Sequence, residues 1–558
     1  MSSTPGTPGL PGATTGLGRA SALLASGTFV SRILGFVKAI VVTATIGQTG
    51  SAAADAFGVA NQLPNNIYAL VAGGVLSAVL VPQIVRAGLH EDGGQKFINR
   101  VLTLGLVIFI GVAAVATVAA PLLVGLYAQQ APASGGRGFS PEAFALATAF
   151  AYWCLPQVLF YALYSLLGEV LNARGLFGPF TWAPVLNNVV AIGGLVAFML
   201  MFGGAAQNHS AEVWDAGKIA LLAGSATLGV AAQALILGAF WRRIGLRYRP
   251  EFRWRGVGLG RTGKAAGWVF AMILVTQSAG IVQTNVASLA SSHGASVFTV
   301  QNAWLVFMLP HSIAAVSIAT PYFTRMAGHA TRGDLAAVRA DLSSSLRAIG
   351  MIIVFSAVAL IVLAYPFSRF FEPEFVHVEA MANVIMAYLA GLVPFSILFV
   401  LQRAFYALED TRTPFFVTCF QAALFVVGAV LCTGLPVEWI GVGIATVTTL
   451  AGTAQTLLAF FLLRRRLKGI DGRRILLRLA QYLGCALVAG LAGLLVVWAL
   501  GGYVSGGFAL DSRLSAGLTM VVGGLGMAAV YFALLLLIRN PELASTARLL
   551  LERFRRSR

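Results

Sequence analysis

Two basic side chains stand inside an apolar stretch where only lipid or protein surrounds a helix. In the run ASGTFVSRILGFVKAIVVTATIG, Arg32 falls near the middle and Lys38 lies about 9 Å further along the helix axis. Placing an Arg or Lys at the centre of a bilayer costs about 2.5–3.5 kcal/mol even on insertion scales, so these cations must meet a wet cavity or an acid. The chemistry open to them is charge-assisted hydrogen bonding to an anion. Six residues turn a helix through about 600°, which leaves the two side chains about 120° apart and off a common face. Gly35, between them, permits a bend or a close helix approach. Asp55 is the nearest acid in sequence, and a salt bridge from Asp55 to Lys38 is expected.

Amides and prolines form the second set. Asn65, Asn66, Gln157, Asn187, Asn188, Gln277, Gln283, Asn285, Gln301 and Asn302 all interrupt apolar runs, where they either line a polar cavity or bridge helices. Pro64, Pro82, Pro156, Pro310, Pro321 and Pro394 predict kinks, which suit helices that rock against one another. His311 after Pro310 reads as a hydrogen-bonded core residue. No phosphate loop, HExxH or GxSxG motif is present, and no carboxylate cluster lies in the apolar runs. Neither an enzyme nor a resident metal is expected. Cys154, Cys419, Cys432 and Cys485 lack disulfide or zinc spacing.

The elements that carry these residues follow from composition. Of 558 residues, 58% are hydrophobic and 10% charged, outside the range of water-soluble domains. Windows of about 19 residues give fourteen spans, at 20–46, 56–85, 101–127, 142–170, 179–203, 216–241, 265–292, 297–324, 346–370, 378–402, 413–433, 437–463, 476–501 and 514–538. The fold class is therefore an all-α polytopic membrane protein. With the N-terminus inside, 32 of the 38 Lys and Arg residues fall in cytoplasmic segments, which puts both termini in the cytoplasm and needs an even number of spans. The net charge of +18 is a topology signal, with anionic lipid headgroups as secondary partners and no call for nucleic acid. The first 18 residues, MSSTPGTPGLPGATTGLG, read as a flexible cytoplasmic tail and not as a cleaved signal.

The halves echo each other. LPNNIYALVAGGVLSAVLVPQIVRA from Leu63 and LPHSIAAVSIATPYFTRMA from Leu309 each run from Leu-Pro to a late proline and a basic residue, and LNARGLFGP and FYALEDTRTP close spans four and ten alike. Six spans per half give two lobes related by an axis along the membrane normal. The expected units are a lobe at 19–241, a basic linker at 242–264, a second lobe at 265–463, a basic loop at 464–475, two appended helices at 476–538 and a basic tail at 539–558.

SRILGFVKAIVVTATIG, ADAFGVANQLPN, GGVLSAVLVP, LNARGLFGPFTWAPVLNN and RAFYALEDTRTP together resemble the MurJ (MviN) family of bacterial lipid II flippases, within the multidrug/oligosaccharidyl-lipid/polysaccharide exporter superfamily. The resemblance implies a chain in the bacterial cytoplasmic membrane that moves the undecaprenyl-diphosphate-linked disaccharide peptide to the outer leaflet by alternating access. It implies that Arg32 and Lys38 contact the anionic head, that Asp55, Asn65, Gly35, Pro64 and Pro310 belong to the cavity or its gates, and that the last two helices form a groove for the lipid tail. Membrane potential or a coupling ion would drive it, with no cofactor, and the peptidoglycan synthesis machinery would be its neighbour. Tyr68, Gly73, Leu305 and Ala39 stand where relatives carry charges, which counts against a scheme built on several cavity arginines. The competing readings are an exporter of another polyprenyl-linked saccharide, an ion-coupled drug antiporter, and a scaffold for cell-wall enzymes that transports nothing.

Overall fold

The computed structural model describes residues 13–87, 94–132, 136–241, 243, 245–252 and 263–544, and it is 83% helical with no strand among the described residues. Fourteen principal helices follow in chain order: α1 (Ala13–Ile46), α2 (Ala52–Ala87), α3 (Gln95–Val118), α4 (Pro141–Ala173), α5 (Phe177–Phe202), α6 (Ala216–Trp241), α7 (Gly263–Ala287), α8 (Val297–Thr331), α9 (Leu335–Val362), α10 (Phe375–Leu389 with Leu392–Ala407), α11 (Arg412–Cys432), α12 (Ile440–Arg466), α13 (Gly472–Ala499) and α14 (Arg513–Leu537). Among the described residues, twelve helices are long and apolar enough to cross a membrane, and the bent pair in α10 makes thirteen. The remaining helix, α2, has 36 residues and is about 54 Å long, more than a bilayer core requires.

Three spans break where the backbone loses a hydrogen bond. Pro156 has no N–H to donate, and α4 separates there into Pro141–Cys154 and Gln157–Ala173. After Pro310, α8 widens into a π-turn over His311–Ala315, in which the Val316 N–H reaches back to the His311 carbonyl. The two halves of α10 meet at 40° just before Pro394. Pro64, Pro82 and Pro321 stay inside continuous helix. Gly35 introduces no break in α1, and a Cβ there would come no nearer than 3.9 Å to Asn188 Nδ2, so neither a bend nor a forced close approach depends on it. The expected tail also shortens: α1 begins at Ala13, so residues 13–18 are helical, and residues 1–12 lie outside the described residues, as do most of the 242–264 linker and residues 545–558.

Packing repeats with a shift of six. In the first half α1 lies on α5, α5 on α6, α2 on α4, α4 on α6 and α3 on α4; adding six to each label gives the main contacts of the second half. The irregularities repeat too, since α4 and α10 are both broken, and α3 and α9 are each followed by a short helix, Ala120–Tyr127 and Ala364–Ser368. Close approach at α5·α6 rests on Gly194, where a Cβ would strike Ser225, and at α11·α12 on Gly428, where it would strike Val447. The last pair, α13 and α14, packs on α9 around Tyr482, Met527 and Tyr531, and the Tyr531 hydroxyl donates to the Met351 carbonyl at 2.7 Å.

Each lobe has its own apolar core, around Phe109, Leu166 and Leu237 in the first and Leu342, Ile385 and Leu401 in the second. A further cluster crosses between them, joining Ile46, Phe57 and Phe150 to Leu289, Phe298 and Ile440. These residues lie toward the connection after α1, at Gly47, which is called the Gly47 end below.

Candidate functional site

The face of α1 on the first lobe is set by Asn188 of α5, whose amide donates to the Ser31 carbonyl at 3.0 Å. The opposite register places Phe36 edge-on to Phe367 and Phe371 of the second lobe, with ring centroids 5.5 Å apart in each pair. Arg32 sits one turn from Phe36. Lys38 points elsewhere. It lines a cavity of about 200 Å3 with Asn61, Gln157, Tyr161, Asn187 and Asn302, and Arg32 takes no part in that lining. The rotation of about 120° between the two positions accounts for the split.

Neither cation forms an ion pair among the described residues. The expected Asp55–Lys38 bridge does not form. Asp55, fully buried, instead accepts from Ser291 Oγ at 2.9 Å and from the Phe298 backbone N–H at 3.0 Å. That N–H belongs to the first turn of α8, where unpaired donors and the helix dipole favour a carboxylate, so Asp55 joins α2 to the start of α8.

A second carboxyl makes the reverse connection. Glu372, on the segment between α9 and α10 and only 2% exposed, accepts from the Thr49 N–H at 2.9 Å and from Gln48 Nε2 at 3.1 Å. Burial raises its affinity for a proton, opposed by these donors and by His377, whose Nδ1 lies 3.9 Å from its other oxygen. The seam is completed by Asn302 Nδ2 donating to Gln48 Oε1 at 2.5 Å and by the Thr49 and Thr299 hydroxyls 3.0 Å apart. Each lobe thus contributes one buried acid that the other lobe's donors satisfy. Breaking such a bond without water costs about 1–3 kcal/mol per stranded group, so the seam can open only if water enters with the motion.

Below the seam lies a cavity of about 750 Å3 between α2 and the second lobe. Gln62, Asn65 and Asn66 line it from α2, and Gln277, Gln283 and Gln301 from α7 and α8. Asn65 is exposed to it, while Pro64 beside it is buried. Gln301 also spans the lobes, donating to Gln62 Oε1 at 3.1 Å and the Gly58 carbonyl at 3.3 Å. The π-turn after Pro310 holds His311 against Phe395 and Phe399, with its Nδ1 3.0 Å from Ser396 Oγ. Tyr68 lies in the first lobe against Phe109 and Tyr161. Sequence reasoning missed Gln402, Gln421 and Gln455 of this cavity, although Gln421 and Gln455 are amides inside apolar runs like those it named. It also missed Gln48, Thr49 and Glu372, which carry no signal before the lobes are docked.

Among the described residues the hydrogen bonds between the lobes reach from the Gly47 end only as far as Asn66, whose carbonyl accepts from Gln277 Nε2 at 3.1 Å. Arg32 contributes to none of them. The arrangement is two matched lobes locked at one end, with an unpaired cation and a polar cavity beyond the lock.

A family model described as "Lipid II flippase MurJ" matches residues 43–510. Among curated relatives, a probable lipid II flippase MurJ of Haemophilus influenzae is 29% identical over 69% of this chain and 75% of its own. One of Buchnera aphidicola is 26% identical over 71% and 74%. A solved structure of a lipid II flippase MurJ in an inward closed conformation superposes with a TM-score of 0.68 at 20% identity, covering 92% of this chain and all of its own. An inward-facing multidrug resistance MATE family transporter reaches 0.59 at 17% identity over 80% and 98%. These last two likenesses establish the fold.

Proposed function

Because the chain belongs to the lipid II flippase MurJ family, we propose that it carries lipid II from the inner to the outer leaflet of the bacterial cytoplasmic membrane by alternating access between its two lobes. The observation that carries the mechanism is the one-sided lock: hydrogen bonds join the lobes from Gln48 to Asn66, and Arg32 lies beyond them without an acidic partner among the described residues. In this reading the Gly47 end faces outward, both termini are cytoplasmic, and the basic connections meet anionic headgroups on the inner side.

A diphosphate cannot cross about 30 Å of hydrocarbon unaided. Arg32 replaces part of its hydration with charge-assisted hydrogen bonds, while Lys38 adds positive potential from the neighbouring 200 Å3 cavity. The polyprenyl tail stays in lipid, along a groove formed with α13 and α14. Transport requires the seam around Asp55 and Glu372 to part and the inner side to close, and release requires the outward state to hold the head less tightly. Membrane potential supplies a bias of about 2.3 kcal/mol per charge per 100 mV for any charge that moves across the whole field.

Depletion of the protein tests the proposal. Lipid II accumulates in the inner leaflet and becomes inaccessible to reagents outside the cell; an unchanged distribution in depleted cells rejects the assignment. A scaffold that transports nothing is separated by Arg32→Ala, which leaves growth normal if the protein only recruits enzymes.

A further inference from the structure

We infer that a groove on the flank of the first lobe is a binding site for one anionic phospholipid, separate from the space between the lobes. The transport reading above enters only in assigning this end of the lobe to the inner leaflet.

The groove arises because α3 and α6 both pack on the second half of α4 and little on each other. Leu102 and Leu106 form one wall, Leu163 and Leu167 the floor, and Leu235, Gly238 and Trp241 the other wall. Its volume of about 950 Å3 lies at the upper end of the roughly 300–1,000 Å3 of small-molecule sites. Leu235 is 59% exposed, and a Cβ on Gly238 would meet nothing within 4 Å, so the groove is open along α6. A leucine surface of this kind takes a hydrocarbon chain. No residue that lines the cavity between the lobes, or the one around Lys38, also lines this groove.

One end of the groove is roofed with positive charge. Beyond Trp241 the chain turns at Gly245, at a φ of +75° that suits glycine, and folds back over the start of α3. Gln95 Nε2 donates to the Arg247 carbonyl at 2.6 Å, and Gln95 Oε1 accepts from the Arg247 N–H at 3.1 Å. The Tyr248 hydroxyl lies 3.1 Å from Thr103 Oγ1, and Glu251 pairs with Arg100 at 2.7 Å. These bonds fix the backbone of Arg247 and leave its guanidinium without a partner among the described residues. Exposed Arg243 and Arg249 flank it, and no Asp or Glu lines the groove. Trp241 is 5% exposed, and its indole N–H has no acceptor among the described residues, an arrangement that protein packing normally avoids.

The three features fit one molecule. A lipid phosphate accepts two bonds from the Arg247 guanidinium, a glycerol ester carbonyl accepts from the Trp241 N–H, and an acyl chain runs over the leucines. A zwitterionic headgroup would bring its ammonium against Arg243 and Arg249, so a lipid of net negative charge is favoured. A soluble phosphate compound would leave the leucines bare.

The test uses the full chain in detergent, with bound lipid counted by native mass spectrometry. Dioleoyl phosphatidylglycerol, dioleoyl phosphatidylcholine and undecaprenyl phosphate are the probes. The wild-type protein holds phosphatidylglycerol about tenfold more tightly than phosphatidylcholine. Arg247→Gln abolishes this preference. Trp241→Phe weakens both phospholipids a few-fold, and Gly238→Phe, which fills the open groove, weakens both about tenfold. Arg465→Gln, at an exposed charge near the end of α12, changes nothing. Arg247 is exposed, so its substitution leaves the fold intact, and comparing two lipids on one variant is independent of protein yield. Equal affinity for the two phospholipids overturns the site. A loss in Arg465→Gln equal to that in Arg247→Gln does so too, in favour of diffuse attraction between basic loops and anionic lipid. Phosphatidylglycerol binding indifferent to Gly238→Phe overturns it as well. Displacement of phosphatidylglycerol by an equal concentration of undecaprenyl phosphate assigns the groove to a polyprenyl chain instead. Lipid II delivery is read separately by depletion, so either reading can fail while the other stands.

Discussion

Arg32 and Lys38 share one helix, six residues apart, yet Lys38 lines the 200 Å3 cavity that first-lobe helices enclose with Phe298, Gln301 and Asn302 of α8, and Arg32 takes no part in that lining. A single cation-bearing face would have placed both in one pocket. The helical repeat forbids it.

The two positions should therefore respond differently to neutralisation. Arg32→Gln abolishes growth support in a depletion strain while the purified protein keeps its melting temperature. Lys38→Met removes an ammonium that has no ion-pair partner among the described residues, and it stabilises the fold by at least about 1 kcal/mol. Its transport falls less than that of the Arg32 variant. Thermal melts beside complementation assays decide this, and equal loss of function in both variants contradicts the division of roles.

Asp55 takes two donors from the second lobe and lacks a basic partner among the described residues. Asp55→Ala strands the Ser291 hydroxyl and the Phe298 N–H and weakens the closed Gly47 end by about 1–3 kcal/mol. Fluorophores on the two lobes should report a shift toward the open form. An unchanged distribution would show that the apolar cluster around Phe57 and Phe298 alone holds the seam.

Acid should favour the same closed end. Burial in the closed form raises the proton affinity of Glu372, and opening returns the carboxyl to water and to its ordinary range. The closed form therefore binds the proton more tightly, and its population grows as pH falls and declines as pH rises through the raised pKa. The other titratable groups facing this carboxyl are His377 and, through His377, Glu374. Glu372→Gln flattens the dependence in the lobe-distance measurement, and a slope of opposite sign rejects the argument.

Much of this was legible in the residues. Fourteen apolar runs, the duplication and the tension around Arg32 follow from hydropathy, parity and the expense of an intramembrane charge. Pairing across the lobes was not. Asp55 was matched to Lys38 as the nearest opposite charge in sequence, but their helices present these groups to different neighbours, and the start of α8 supplied better donors. Glu372 and Gln48 lie 324 positions apart, and nothing in either segment names the other. Gly35 illustrates the converse error, since a glycine in a membrane helix bends nothing when the neighbouring helix leaves room for a side chain.

The appended pair depends on a few polar anchors. Tyr531 is fully buried and donates to the Met351 carbonyl at 2.7 Å, joining α14 to α9. Tyr531→Phe costs about 1 kcal/mol in detergent unfolding. No loss would mean that the apolar contacts around Met527 suffice.

The most direct test locks the seam. The Thr49 and Thr299 hydroxyls stand 3.0 Å apart across the lobes, close enough for cysteines at both positions to be bridged. The account predicts that oxidation of the Thr49→Cys, Thr299→Cys variant in cells stops lipid II from reaching the outer leaflet, and that a reductant restores it. Undiminished delivery from quantitatively cross-linked protein would contradict alternating access in this chain.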